Sequence, residues 1–130
     1  MKIYKIVCIA TSILFIFLFF QLLFDSVSFV KDMGMQPSEA TSVLAKRAAI
    51  FMLGLSILAF CAKSLPHSKA RQYICLSTGS TLIGLACMGT YEHFMGTVNS
   101  SIFIAIAVET TLGLSFLAVL YSDKAAEKVG

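Results

Sequence analysis

Apolar residues run along this chain in four long blocks separated by short polar links. The first, residues 6–24, carries no charge and follows Lys2 and Lys5. The second reads as 43–62, the third as 72–91 and the fourth as 101–121. About 20 predominantly apolar residues, coiled as a helix, cross the hydrocarbon of a bilayer. The pattern therefore predicts an all-α membrane protein, an antiparallel bundle of four transmembrane helices making one domain over 1–130.

The 6–24 block has the basic start and apolar run of a secretory signal, and Ser26-Val27-Ser28 loosely resembles a cleavage site. The run exceeds the roughly 7–15 residues of a signal core, and phenylalanines crowd it to its end, so it reads as a retained span. The 25–40 link is the longest. In it Asp25, Lys31, Asp32 and Glu39 alternate with Val27, Phe29, Val30, Met33 and Met35, which predicts a segment lying at the interface or folded over the bundle mouth. Pro37 suits the first turn of a helix and Glu39 its positive end, so the second helix should begin ahead of the membrane. Its strictly apolar part, 48–62, is short for a crossing. Residues 43–47 must be drawn in, which brings Lys46 and Arg47 to the hydrocarbon boundary. Both can snorkel to the headgroups. Being about 100° apart around the helix, one can instead turn inward to an acid while the other stays wet.

The 72–91 block is the least apolar, with Ser77, Thr78, Gly79, Ser80, Thr81, Gly84 and Gly89 along it. Small and hydroxylated residues let membrane helices approach closely, so this helix is expected at the centre of the bundle. The 63–71 link is basic, broken by Pro66, and holds His67 as a solvated loop residue. The 90–100 link holds Glu92 and His93 without a Lys or Arg, and 121–130 reads as a charged tail.

Composition supports the membrane reading. Of 130 residues, 58% are hydrophobic and 13% charged, where a soluble domain carries about a quarter charged. The net charge of +3 comes from basic residues at helix ends rather than on one stripe, which excludes a nucleic-acid partner. Cys8, Cys61, Cys75 and Cys87 form no C-x-x-C pair, which excludes a quinone-linked disulfide oxidase; inside spans they read as small packing residues. Lys2, Lys5, Lys63, Lys69, Arg71, Lys124 and Lys128 fall on one side, against Lys31, Lys46 and Arg47 on the other. The positive-inside rule then puts both termini in the cytoplasm and argues against a dual-topology exporter. The expected location is the bacterial inner membrane.

One residue breaks the fourth block. Glu109 lies about 12 Å along it from Ser101 at the helical rise of about 1.5 Å per residue, and a charge at that depth costs roughly 2.5–3.5 kcal/mol on insertion scales. Ser101, Ala105, Glu109 and Gly113 share one helix face, so a neighbouring helix or a ligand is expected close to the carboxylate. With the inferred topology Arg47, Tyr91, Glu92, His93 and Glu109 all fall in the outer half, forming a candidate ligand-binding or buried polar cluster. Three roles compete for it: a structural anchor in which Arg47 offsets Glu109 or the carboxyl keeps its proton and is hydrogen-bonded, a pocket for a lipid, quinone or small polar metabolite, and a proton carrier for a transporter. Met33-Gly-Met35 and His93-Phe-Met95 also face outward, and thioethers with imidazole suit Cu(I). Six methionines are ordinary in such a chain and neither motif repeats, so Met33, Met35, His93 and Met95 are noted without a metal being assigned. No catalytic residue is found either: hydrolytic triad, P-loop and zincin motifs are all missing, and no cofactor is identified.

The basic start of the second helix followed by small and aliphatic residues, KRAAIFMLGLSILAF (46–60), the proline-containing basic link and the glycine-rich third helix resemble the DoxX-like group of small bacterial four-helix membrane proteins. That resemblance covers the layout of most of the chain. It implies a four-helix bundle associated with a larger membrane assembly or redox partner, and supplies no catalytic residues. Small multidrug exporters share the size and span number but place their essential glutamate in the first helix, which here is uncharged. The expectation is a non-enzymatic integral membrane binding or accessory subunit, forming a homo-oligomer or joining a larger complex, with a small apolar ligand as a further partner. The alternative is a lipid- or quinone-binding protein, or a proton-coupled transporter using Glu109.

Overall fold

The computed structural model describes the backbone of residues 2–129 and the side chains of residues 2–123; the side chains of Lys124 and Lys128 lie outside this range. The described residues form α1 (Lys2–Phe24), α2 (Ser26–Asp32), α3 (Glu39–Ala62), α4 (Lys69–Phe94) and α5 (Ile102–Val129). All but α2 are long and apolar enough to cross a membrane.

Helix boundaries follow local chemistry. Ser38 caps α3: its hydroxyl accepts from the Thr41 N–H at 3.2 Å while the Ser38 N–H donates to Thr41 Oγ1 at 2.8 Å, a reciprocal cap that satisfies two otherwise orphaned donors. Pro37 therefore stands outside the helix, just before the cap, and not in its first turn. Ser68 caps α4 by accepting from the Arg71 N–H at 3.3 Å. At their other ends α2 and α4 stop alike. Gly34 (φ +83°) and Gly96 (φ +74°) adopt the left-handed conformation that only glycine takes without strain. Their N–H groups return to the Lys31 and His93 carbonyls, and the next residues, Met35 and Thr97, to Val30 and Glu92, closing both helices.

Membrane helices associate by close approach of small residues, because lipid is as apolar as any large side chain. The buried residues of α3 are Ala49, Ser56, Ala59 and Ala62, while Leu44, Ile50, Phe51, Ile57 and Phe60 point outward. This small face lies on α1, and the contacts run in opposite chain directions: Tyr4 meets Ala62 and Ser12 meets Ser56. Ser12 and Ser56 each donate to the other's backbone carbonyl at 2.9 Å. α4 and α5 form the second pair. A Cβ on Gly113 would lie 2.9 Å from Ile83 and 3.2 Å from the Gly79 carbonyl oxygen, so backbone touches backbone there. The two pairs meet mainly along α1 and α5. A core of Tyr4, Cys8, Phe15, Cys75, Leu82 and Phe116 fills the junction. Cys8 and Cys75 are packing residues, as expected, whereas Cys61 and Cys87 are exposed.

One span boundary changes, and the 25–40 link takes the form of a helix folded over the bundle. The fourth helix does not end at residue 121; it continues through the stretch read as a tail, to Val129. The 25–40 link holds a helix, α2, which packs on α1 and α3 and is tied to the α4–α5 loop. The Asp32 carbonyl accepts from Asn99 Nδ2 and Ser101 Oγ, each at 2.9 Å, and the Met33 carbonyl accepts from the Asn99 N–H at 2.9 Å. The link folds over this end of the bundle, and its last helical carbonyls are satisfied by the facing loop.

Candidate functional site

At the opposite end four helix ends converge: the start of α1, the end of α3, the start of α4 and the last apolar turn of α5. The Ser68 cap sets the first turn of α4 so that Arg71 points inward, where it meets Asp123 of α5. Arg71 Nη2 donates to Asp123 Oδ1 at 3.1 Å. Nε lies 2.9 Å from Oδ2 as an ion-pair contact rather than an aligned hydrogen bond, since neither atom has a hydrogen-bond partner. Both residues are buried. His67 Nε2 adds a 2.9 Å contact to Asp123 Oδ1 from the α3–α4 link, so this histidine is engaged and not merely solvated. Tyr4 covers the pair: the guanidinium carbon sits 4.2 Å from its ring centroid, and its hydroxyl donates to the Ala62 carbonyl at 2.9 Å.

Burying two charges is costly unless geometry and further contacts compensate. Here a forked contact, a histidine and an aromatic face all contribute. Arg71 Nη1, like Nε and Asp123 Oδ2, has no hydrogen-bond partner among the described residues. The assembly also borders open space. A cleft of about 290 Å³ is lined by Arg71, Asp123, His67 and Ser122 together with Ile3, Ala118 and Val119. Across Tyr4 a second cleft, of about 210 Å³, is lined by Lys2, Lys5, Lys63 and Leu65. The larger cleft thus joins a polar end to an apolar wall, which is the form of a site for an amphipathic molecule.

The residues singled out from sequence are placed differently. Arg47 is exposed on α3, and Tyr91 is 57% exposed. Glu92, His93 and Glu109 are half-buried. No side-chain hydrogen bond or ion pair joins any two of these five. Arg47 does not offset Glu109, because α3 packs on α1 while α5 packs on α4. Glu109 shares the α5 face of Ile102, Ile106 and Gly113, which meets Gly89 and Ile83 of α4, and its carboxylate has no partner among the described residues. His93 donates through Nδ1 to the Val98 carbonyl at 3.3 Å and sets its ring edge-on to Phe103, with centroids 4.5 Å apart. The two methionine motifs acquire a different explanation. Met33 and Met95 are the C-cap residues of α2 and α4, each followed by its left-handed glycine, and Met95 is 63% exposed. Among the described residues no group of three or more His, Cys, Asp or Glu is placed to hold a metal ion.

Sequence reasoning passed over Asp123 and Arg71 because one falls in the stretch read as a charged tail and the other in the basic link used only to set orientation. One signal was available: an arginine opening one span and an aspartate closing the next lie at the same end whenever those spans run in opposite directions. The chain matches no protein-family model, no curated protein and no solved structure.

Proposed function

We propose that the protein is a non-enzymatic integral membrane binding protein, an antiparallel four-helix bundle of the bacterial inner membrane with both termini in the cytoplasm. It holds a small amphipathic ligand in the cleft beside Arg71 and Asp123. The observation that carries this reading is the juxtaposition of a buried forked ion pair with open, half-apolar space. A buried ion pair adds little net stability by itself, whereas fixed charges at the rim of an apolar cleft orient a ligand. The basic residues Lys2, Lys5, Lys63 and Lys69 of this end support its cytoplasmic placement. Native mass spectrometry of gently extracted protein tests the reading. Wild-type protein is expected to carry a bound amphiphile that Ala118→Phe, which fills the cleft from α5, releases while the bundle stays folded. Bare wild-type protein would count against it.

Glu109 supports an accessory role beside this one. Its carboxylate, midway along a span and without an internal partner, suits a donor on a helix from another copy or another protein, in line with the assemblies that the DoxX-like layout implies. Such a complex is expected to dissociate on Glu109→Gln, read as a shift in mass on detergent gel filtration; an unchanged mass would remove the proposal.

A further inference from the structure

We propose that the ligand of this cleft is a membrane lipid with an anionic phosphate headgroup, a step that rests on reading the cleft as a binding site. Four observations point to it. First, Tyr4 is a wall shared by both clefts, so one headgroup lying over its edge reaches both. Second, the charges do not balance. Arg71 and Asp123 neutralise each other, while Lys2, Lys5 and Lys63 around the second cleft face no carboxylate within ion-pair distance among the described residues. Basic pockets between transmembrane helices on the cytoplasmic side attract anionic headgroups; a neutral quinone carbonyl would leave those ammonium groups without a role. Third, lysine ammonium groups donate only, so the ligand group that meets Lys2, Lys5 and Lys63 is an acceptor. Fourth, the apolar wall formed by Ile3, Ala118 and Val119 belongs to spans α1 and α5, along which an acyl chain can run into the bilayer. Lys63 is already held at this level, its Nζ 3.1 Å from the Phe60 ring centroid.

The test compares lipids of identical acyl chains on the intact protein by native mass spectrometry, using phosphatidylglycerol, phosphatidylcholine and, as a chain-free probe, inorganic phosphate. Wild-type protein is expected to bind phosphatidylglycerol roughly tenfold more tightly than phosphatidylcholine, given the attraction of each lysine near an anionic headgroup. The triple variant Lys2→Gln, Lys5→Gln, Lys63→Gln, with no change at the ion pair, should bind both lipids equally. Ala118→Phe should weaken both. Equal binding of the two lipids by wild type overturns the anionic-lipid assignment and leaves the amphiphile site standing. Survival of the preference in the triple variant overturns the lysine assignment. Competition by inorganic phosphate as strong as by phosphatidylglycerol overturns the lipid in favour of a free anion. Binding of none of the probes by wild type overturns both the lipid and the site.

Discussion

Arg71 and Asp123, 52 positions apart, close on each other across the α4–α5 seam with side chains only 3% and 2% exposed. Around that contact four helix ends, a link histidine and a tyrosine are gathered, so one pair both ties the bundle together and borders a half-polar cleft.

Removing one partner leaves the other charge buried and unpaired. Asp123→Ala is therefore expected to destabilise the protein by about 3–5 kcal/mol. The double change Arg71→Met with Asp123→Leu should recover most of that loss, because a well-packed apolar pair replaces a buried ion pair at little cost. Unfolding of the purified protein by denaturing detergent, arranged as a double-mutant cycle, measures the coupling. Additive losses would show that the two side chains act independently.

The glycines divide sharply. Gly113→Ala drives a methyl to within 2.9 Å of Ile83 and 3.2 Å of a facing carbonyl, and is expected to cost about 1–3 kcal/mol through overpacking. Gly84 has open space where a Cβ would go, so Gly84→Ala should be neutral or stabilise by up to about 1 kcal/mol through helix propensity. Thermal melting of both variants decides the matter; similar losses would refute close contact at the Gly79–Gly113 crossing.

Ser12 and Ser56 donate to each other's carbonyls between α1 and α3. Interhelical hydrogen bonds in membranes average about 0.6 kcal/mol and reach about 1.7 kcal/mol. Ser56→Ala should lower stability within that range, and Ser12→Ala on top of it should cost about as much again, because each hydroxyl donates to a backbone carbonyl that the other substitution leaves in place. No second loss would show that the Ser12 hydroxyl does not hold the Ser56 carbonyl.

Glu109 contributes no internal ion pair, and a charge at its depth costs roughly 2.5–3.5 kcal/mol on insertion scales. Glu109→Gln should leave the melting temperature of the isolated chain unchanged or raise it. A drop comparable with that of Asp123→Ala would mean that the carboxylate is held within the chain.

The number and rough extent of the spans were legible in the sequence, since apolar length is a local property that needs no knowledge of neighbours. The helix stops at Met33-Gly34 and Met95-Gly96 were visible as residues but were weighed only as soft metal ligands, without a metal being assigned. Their meaning lies in a backbone conformation and in bonds back to the preceding turn, which the side-chain inventory does not display. Which polar groups meet was decided by tertiary structure alone. Arg47 and Glu109 were candidates for pairing because both were assigned to the outer half, yet their helices sit in different pairs. Arg71 counted only toward orientation and Asp123 only as part of a charged tail, yet those span ends turn toward each other. Whether a charge is buried depends on the side from which a neighbour arrives, and that is set by how small-residue faces pair helices distant along the chain.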